Sequence, residues 1–107
     1  MARRKRYERI YDPQVRRQVV KIERRYHSMI RQRIESQLRY DPDTETRNRR
    51  PLLRPSAFGS VWELRFGPDN RFRVFYRTDR TLHQVHVLAI GIKIRDRLYI
   101  GGEEFEL

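Results

Sequence analysis

The 107-residue sequence has no cysteine, which excludes disulfide bonds, thiolate catalysis and cysteine-ligated zinc. It also lacks a long apolar run. The longest one, Val85 to Ile92, is interrupted by His86 and is far too short to span a bilayer. The basic residues at the start are not followed by the apolar core of a signal peptide. These absences predict a soluble, cytoplasmic protein.

Acidic residues and lysine are both scarce. The sequence has 14 acidic and 25 basic residues, a formal net charge of +11, and 22 of the basic residues are arginine. The planar guanidinium fork suits phosphate and carboxylate groups, and a small domain this basic is typical of a nucleic-acid binder or of a protein with an acidic partner. A compositional explanation stays open, since a genome that favours arginine would solubilise protein surfaces in this way. Aromatic residues make up 11%, which argues against a disordered chain.

The region from Ser60 to Tyr76 predicts a β-hairpin, because two segments of alternating apolar and polar residues flank a Gly-Pro-Asp-Asn turn. The apolar residues of the two segments share a face only if the connection has an odd number of residues, for instance 67–71. Arg65 then lies opposite Arg73. Because like charges directly opposite each other are unfavourable, we infer that an anion lies between these guanidinium groups for part of the time. Glu63 is expected to pair with Arg73 or Arg65 and hold it, or to serve as a general base.

The N-terminal third of the chain predicts a short strand and two helices. Tyr7 to Tyr11 alternates weakly, and Asp12-Pro13 is a typical helix start, with Asp as the N-cap and Pro at the first helical position. Apolar residues then recur at helical spacing to about residue 40. The pattern breaks around His27-Ser28, which favours two antiparallel helices with Ser28 capping the second, although one long bent helix is an alternative. Asp41-Pro42 should end the helical region.

The remaining segments predict a loop and further strands. We expect residues 43–59 to form a loop over the sheet edge, pinned by Leu52, Leu53 and Phe58. Residues 82–90 are apolar on both sides, which is typical of a central strand. Residues 91–100 should turn or form an edge strand before an acidic tail. The prediction is one α+β domain, residues 1–107. Its helical hairpin packs on one face of a small antiparallel sheet, and its other, arginine-rich face is open.

Segments spread over nearly the whole chain from Tyr7 resemble the RelE/ParE superfamily of toxins from toxin–antitoxin pairs. The resemblance is carried by their order and spacing: Asp41-Pro42, Asn48, Arg50, Leu52, Trp62-Glu-Leu-Arg65, Arg71-Phe-Arg-Val-Phe-Tyr76, Val87-Leu-Ala-Ile-Gly-Ile-Lys93 and Leu98-Tyr99. It implies a toxin neutralised by a cognate antitoxin protein. The RelE branch implies a metal-independent endoribonuclease that cleaves mRNA on the ribosome and inhibits translation. The ParE branch implies a toxin that binds DNA gyrase and has no RNase activity.

The resemblance also implies a catalytic site. The RelE-type arginine of the third strand falls on Arg73, and the late tyrosine falls on Tyr99. The basic residue after the glycine of the last long strand falls on Lys93, or on Arg95 if the register is shifted. The two lysines that RelE places on the preceding strand fall on Val61 and Glu63, which are not basic. Arg65, Arg47, Arg49 or Arg50 is expected to replace this charge. The residues expected to bind RNA are Arg47, Arg49, Arg50, Arg71 and Arg95.

The resemblance implies two functions, a RelE-like endoribonuclease and a ParE-like toxin without catalysis, and a third is a general nucleic-acid-binding domain of the same fold. Cleavage by attack of the 2′-hydroxyl needs a base, cations around the phosphate and an acid, but no metal or cofactor. Arg65 and Arg73 would hold the phosphate, Lys93 or Arg95 would add charge, and Tyr99 would orient or deprotonate the nucleophile. The three histidines, His27, His83 and His86, are expected to be structural.

Overall fold

Two helices pack on one face of a seven-stranded sheet in a computed structural model, which describes residues 5–54 and 59–106. The helices are α1 (Pro13–Val20) and α2 (His27–Gln37). The strands are β1 (Glu8–Tyr11), β2 (Arg49–Pro51), β3 (Trp62–Phe66), β4 (Phe72–Asp79), β5 (Gln84–Ile94), β6 (Arg97–Ile100) and β7 (Glu103–Phe105). The predicted α+β class and the side on which the helices pack are confirmed. Among these residues no helix has the length and apolarity that crossing a membrane requires.

The sheet is built around β5. Its path runs β2-β3-β4-β5-β6-β7 with antiparallel neighbours, and β1 adds to β5 in parallel. Strand β1 pairs with Gln84–Val87 of β5, whereas β6 pairs with its last part, Gly91–Ile94. The prediction of a central strand is confirmed, but β5 continues through Gly91 to Ile94, where a turn or a separate edge strand was expected.

The gap between β1 and β6 along β5 is filled by α1. The side-chain amide of Gln14 donates to the Leu88 carbonyl at 2.9 Å, and the Gln18 Oε1 accepts from the Ile90 N–H at 2.9 Å. The pairing of β4 with β5 shifts register at this point, between Phe75 and Tyr76. Two glutamines therefore satisfy backbone groups for which no neighbouring strand is available among the described residues.

Helix α1 starts as predicted: Asp12 is the N-cap, its carboxylate accepts from the Gln14 N–H, and Pro13 is the first residue. The break between the helices is earlier than predicted, because α1 ends at Val20 and a 3₁₀ turn, Arg24–Tyr26, leads directly into α2. Ser28 lies inside α2 and does not cap it, so that prediction is wrong.

Helix α2 ends at Gln37, before the Asp41-Pro42 pair expected to end it, and Leu38 follows as its C-cap. Asp41 has φ 51°, outside the helical region. The buried Leu38 side chain belongs to the core, so packing under the sheet fixes this end of the helix.

The main core lies between the helices and the sheet. The predicted hairpin register is confirmed in full: Trp62 pairs with Tyr76, Leu64 with Val74, and Phe66 with Phe72. The buried members of this core from the helices and the hairpin are Val15, Ile22, Ile30, Ile34, Leu38, Leu64, Phe66, Phe72, Val74 and Tyr76.

The opposite face is not fully open, which corrects the prediction. A second, smaller cluster there buries Phe75, Ala89, Leu98 and Ile100, with Leu52 and Phe105 packed against it. This cluster exists because β6 forms where a turn or an edge strand was expected, and β7 forms where an acidic tail was expected. The turn between these strands uses Gly101 and Gly102, both with positive φ, 62° and 84°, as a two-residue hairpin loop requires.

The loop before β3 also differs from the prediction in part. Residues Arg49–Pro51 pair with β3 as an edge strand. Leu52 packs against the smaller cluster as expected, but Leu53 is fully exposed. Phe58, the third residue expected to pin the loop, lies outside the described residues.

Candidate functional site

The pairing of β2 to β5 sets three arginines and one glutamate side by side on the face away from the helices. Arg50 lies directly opposite Glu63, and Arg65 lies directly opposite Arg73. Opposed residues of antiparallel strands share a face, and so do residues two apart on one strand. Glu63 therefore has Arg50 opposite, Arg65 two residues along its own strand, and Arg73 on the diagonal.

The Glu63 carboxylate is the centre of this group and has no solvent-exposed surface. Its Oε1 accepts from the Arg50 Nε at 2.9 Å. The Arg73 Nη1 lies 3.4 Å from each of its two oxygens, and the Arg65 Nε lies 3.8 Å from Oε1. The predicted pairing of Glu63 with Arg73 or Arg65 is confirmed, and the carboxylate lies within ion-pair distance of both. We call Glu63 with Arg50, Arg65 and Arg73 the Glu63 cluster.

Arg65 and Arg73 face each other as predicted, and the internal carboxylate lies within reach of both. Arg73 is only 7% exposed, and its Nε also donates to the Asn70 carbonyl at 2.9 Å. Burial lowers the pKa of the Arg73 guanidinium and the Glu63 charge opposes that shift, yet an arginine stays protonated. The Arg65 Nε is buried without a hydrogen-bond partner. The single Glu63 carboxylate therefore does not accept hydrogen bonds from all of the guanidinium N–H groups in the cluster.

Lys93 extends the cluster along the sheet. Arg73 is paired with Gly91 of β5, and Lys93 lies two residues further along the same face. Its backbone N–H donates to the Arg71 carbonyl at 2.6 Å, which ties the end of β5 to the start of β4. Gly91 is required here, because a Cβ would come within 2.7 Å of the Tyr99 carbonyl oxygen.

A recess of about 470 Å³ opens over this region. We call its lining residues on β2 to β5 the floor: Arg50, Glu63, Arg73 and Lys93. The remaining lining residues, which we call the rim, come from the β5–β6 turn, β6, β7 and the residue after β7: Asp96, Arg97, Leu98, Glu104, Phe105 and Glu106. The floor has an excess of positive charge, whereas acidic residues predominate on the rim. Arg97 and Glu104 are 3.6 Å apart but both substantially exposed, so this ion pair contributes little to stability.

Tyr99 is not brought together with Arg73 and Lys93, which corrects the expected arrangement. It pairs with Ile92 on β5, and Ile92 packs against the helix-side core. Because opposed residues share a face, Tyr99 lies on the other side of the sheet from Lys93. It lines a separate recess with Ile94, Arg95, Asp96 and Arg97.

The five residues expected to bind RNA are dispersed. Arg49 and Arg50 point to opposite faces of β2. The Arg49 Nη1 donates to the Gln37 carbonyl at 2.6 Å, so this side chain stabilises the end of α2. Arg47 is exposed, Arg71 is half-buried beside the 3₁₀ turn Pro68–Asn70, and Arg95 is exposed at the β5–β6 turn with φ 58°. Their role in RNA binding stays a prediction.

The histidines lie outside the recess. His27 Nε2 is 2.7 Å from the Ile22 carbonyl, His83 packs edge-on against Tyr7, and His86 is paired with Ile10.

The rim residues of the recess were not predicted from the sequence. Arg97 could have been found from the sequence, because Arg95-Asp96 is a two-residue hairpin connection between two alternating segments. Such a connection sets Ile94 opposite Arg97.

No family model matches the sequence, and no curated protein matches it. The structure resembles one chain of the crystal structure of the toxin–antitoxin complex RelBE2 from Mycobacterium tuberculosis, with a TM-score of 0.67 and 22% sequence identity. The similarity covers 82% of this chain and 92% of that chain. The RelE-like fold predicted from the sequence is therefore confirmed.

Proposed function

We propose that this protein is the toxin of a type II toxin–antitoxin pair and acts as a metal-independent endoribonuclease on ribosome-bound mRNA, which inhibits translation. The observation that carries the proposal is the Glu63 cluster, in which three arginines from three adjacent strands converge. Arg50 and Arg73 line the floor of the recess with Glu63 and Lys93, and Arg65 lies beside this floor, opposite Arg73. The shared fold with a chain of a toxin–antitoxin complex supports the biological setting, including an antitoxin partner.

The chemistry would use the cations of the recess around a phosphodiester. The 2′-hydroxyl gives its proton to a solvent water and its oxygen attacks the adjacent phosphorus. The new P–O2′ bond forms as the P–O5′ bond breaks, and the products are a 2′,3′-cyclic phosphate and, once the leaving oxygen is protonated, a 5′-hydroxyl. Arg50, Arg65 and Arg73 would stabilise the negative charge that develops on the phosphate oxygens. Of the basic residues on the floor, Lys93 is the one that can exchange a proton, since arginine cannot. Lys93 is therefore proposed to protonate the leaving 5′-oxygen.

Primer extension on mRNA from a cell-free translation reaction tests this activity. The wild-type protein should produce discrete cleavage sites, and Arg73→Ala should reduce cleavage by about 100-fold or more, as loss of a charge-stabilising donor does. Arg77→Ala is the matched control, because Arg77 is an exposed arginine four residues along the same strand. Equal cleavage by the two variants, or none by the wild type, would contradict the proposal.

A second candidate is a ParE-like toxin that binds DNA gyrase without catalysis. It is favoured by Tyr99 lying on the opposite face from Lys93, and by Val61 and Glu63 at the positions where the RelE-type site has lysines. In this case the recess would bind acidic groups of a protein. A gyrase supercoiling assay separates the two functions, because inhibition of supercoiling without RNA cleavage supports the second candidate and excludes the first.

A further inference from the structure

Glu63 is a charged residue with an unusual position, at the middle of a sheet face and with no exposed surface. A buried carboxylate is costly unless it is paired and hydrogen-bonded. Here the pairing comes from Arg50, Arg65 and Arg73, which belong to three adjacent strands. The carboxylate is therefore what allows three guanidinium groups to lie together on this face.

The contacts from the three arginines to Glu63 differ in length. The guanidinium groups with the longer contacts can therefore also interact with a second anion. The contact from the Arg50 Nε, at 2.9 Å, has ordinary hydrogen-bond length. Those from the Arg73 Nη1 are 3.4 Å and that from the Arg65 Nε is 3.8 Å, and the buried Arg65 Nε has no hydrogen-bond partner. Arg50, Arg73 and Lys93 line the floor of the recess with Glu63 as its one carboxylate, and Arg65 lies beside this floor, opposite Arg73.

We propose that Glu63 is a built-in counter-ion, which holds the three guanidinium groups in place and sets how tightly a phosphate group binds beside it. In this role Glu63 is a positioning residue. It is not the proton acceptor in RNA cleavage, because its side chain is unexposed and its oxygens face arginines that cannot take a proton onward. The inference rests on the proposed phosphate-binding role of the recess, but not on cleavage or on the kind of target.

Two effects follow from replacing the carboxylate with a neutral amide. The guanidinium groups lose the internal counter-ion that they share, so the folded state without ligand becomes less stable. A bound phosphate then meets no negative charge in the cluster and relieves the repulsion between the arginines. The Glu63→Gln variant should therefore depend on phosphate for stability and bind a phosphate group more tightly than the wild-type protein, by about tenfold.

Thermal unfolding in chloride and in phosphate buffers of equal ionic strength tests the inference. Glu63→Gln should melt about 5 °C or more below the wild type in chloride, and phosphate should restore at least half of that loss. Phosphate stabilises proteins in general, so Glu45→Gln is the control: Glu45 is exposed in the loop before β2, and the charge change is the same. An equal response of the wild type and both variants to phosphate would overturn the inference.

The double variant Glu63→Gln/Arg50→Gln provides a second measurement, because it removes one charge of each sign. Its melting temperature should lie closer to the wild type than that of Glu63→Gln, and its response to phosphate should be like the wild type. If Glu63→Gln does not fold in chloride, folding recovered in phosphate or in the double variant supports the inference. A double variant that is no more stable than Glu63→Gln would contradict the inference.

Binding of a short single-stranded RNA, measured by fluorescence anisotropy, completes the test. Glu63→Gln should bind about tenfold more tightly than the wild type and Glu45→Gln, in line with the loss of one nearby negative charge. Binding no tighter than that of Glu45→Gln would count against the inference. Absence of cleavage by the wild type together with a phosphate response specific to Glu63→Gln refutes only the proposed nuclease. Cleavage that depends on Arg73, with no such response, refutes only the role of Glu63.

Discussion

Single side chains join the loop before β2 to the sheet. The Tyr76 hydroxyl is fully buried and donates to the Pro42 carbonyl at 2.6 Å, and its ring stacks with Trp62 at a centroid distance of 6.3 Å. Burial raises the pKa of Tyr76, an effect that the positive charge of Arg49 opposes and the negative charge of Asp43 strengthens. A neutral hydroxyl at this position therefore contributes to the stability of the fold.

The Tyr76→Phe variant should lose about 1 kcal/mol of the free energy of unfolding at pH 7, because the Pro42 carbonyl loses its donor. The unfolded tyrosine ionises near pH 10 and the folded one only at higher pH, so stability is fully present below pH 10 and falls as the pH rises above it. Urea unfolding at pH 8 and pH 11 should show a smaller loss in Tyr76→Phe than in the wild type. An equal loss in both proteins would contradict this assignment.

At the scale of elements, β5 is the strand with which β1, β4 and β6 pair. Helix α1 supplies hydrogen bonds to the part of β5 that lies between β1 and β6. Strands β1 and β6 share one edge of β5, and Gln14 and Gln18 of α1 satisfy the backbone between them. This arrangement fixes α1 relative to the sheet through hydrogen bonds as well as apolar packing. Beyond this region β5 continues past Gly91 to Lys93, which lines the recess.

The Gln18→Met variant tests this role of α1. It keeps a long side chain but leaves the buried Ile90 N–H without an acceptor, and we expect a loss of about 1–3 kcal/mol in the free energy of unfolding. Gln32→Met, at an exposed position of α2, is the control and should change stability by less than about 0.5 kcal/mol. Urea denaturation of both variants measures the difference. Equal effects would show that the Ile90 N–H does not depend on Gln18.

At the scale of the whole molecule, the net charge of +11 is distributed over both faces. Exposed arginines such as Arg16 and Arg17 lie on α1, on the helix side of the sheet, whereas the Glu63 cluster lies on the other side. A high net charge by itself favours binding to any polyanion. Specific binding at the recess must therefore be separated from this general attraction by comparing variants of equal charge.

The double variants Arg50→Gln/Arg65→Gln and Arg16→Gln/Arg17→Gln both lower the net charge from +11 to +9. If RNA phosphates bind at the recess, the first should weaken RNA binding more than the second. It should also reduce the slope of log K against log salt concentration by about 0.7 for each RNA phosphate that the protein no longer neutralises. Fluorescence anisotropy titrations between about 50 and 200 mM salt measure both quantities. Equal slopes would show that the recess is not where RNA binds.

Much of the fold was predictable because short-range patterns determine it. The alternating residues of β3 and β4 and the five-residue connection between them fix which side chains share a face, and so set Arg65 opposite Arg73. Asp12-Pro13 determined the start of α1 through the geometry of one cap. The end of α2 and the break before it were not predictable with the same accuracy, since packing of Leu38 and the 3₁₀ turn decide them.

The sequence by itself determined the α+β class, the hairpin register and the presence of facing arginines, since each follows from the period-two alternation of a strand or the period of a helix. Only the tertiary structure decided that Glu63 is fully buried with Arg50 across from it, because the path of the backbone between β2 and β3, and not the local pattern, sets which of their residues meet. It also decided that Tyr99 lies on the opposite face from Lys93, because this depends on β5 continuing past Gly91 before the turn to β6.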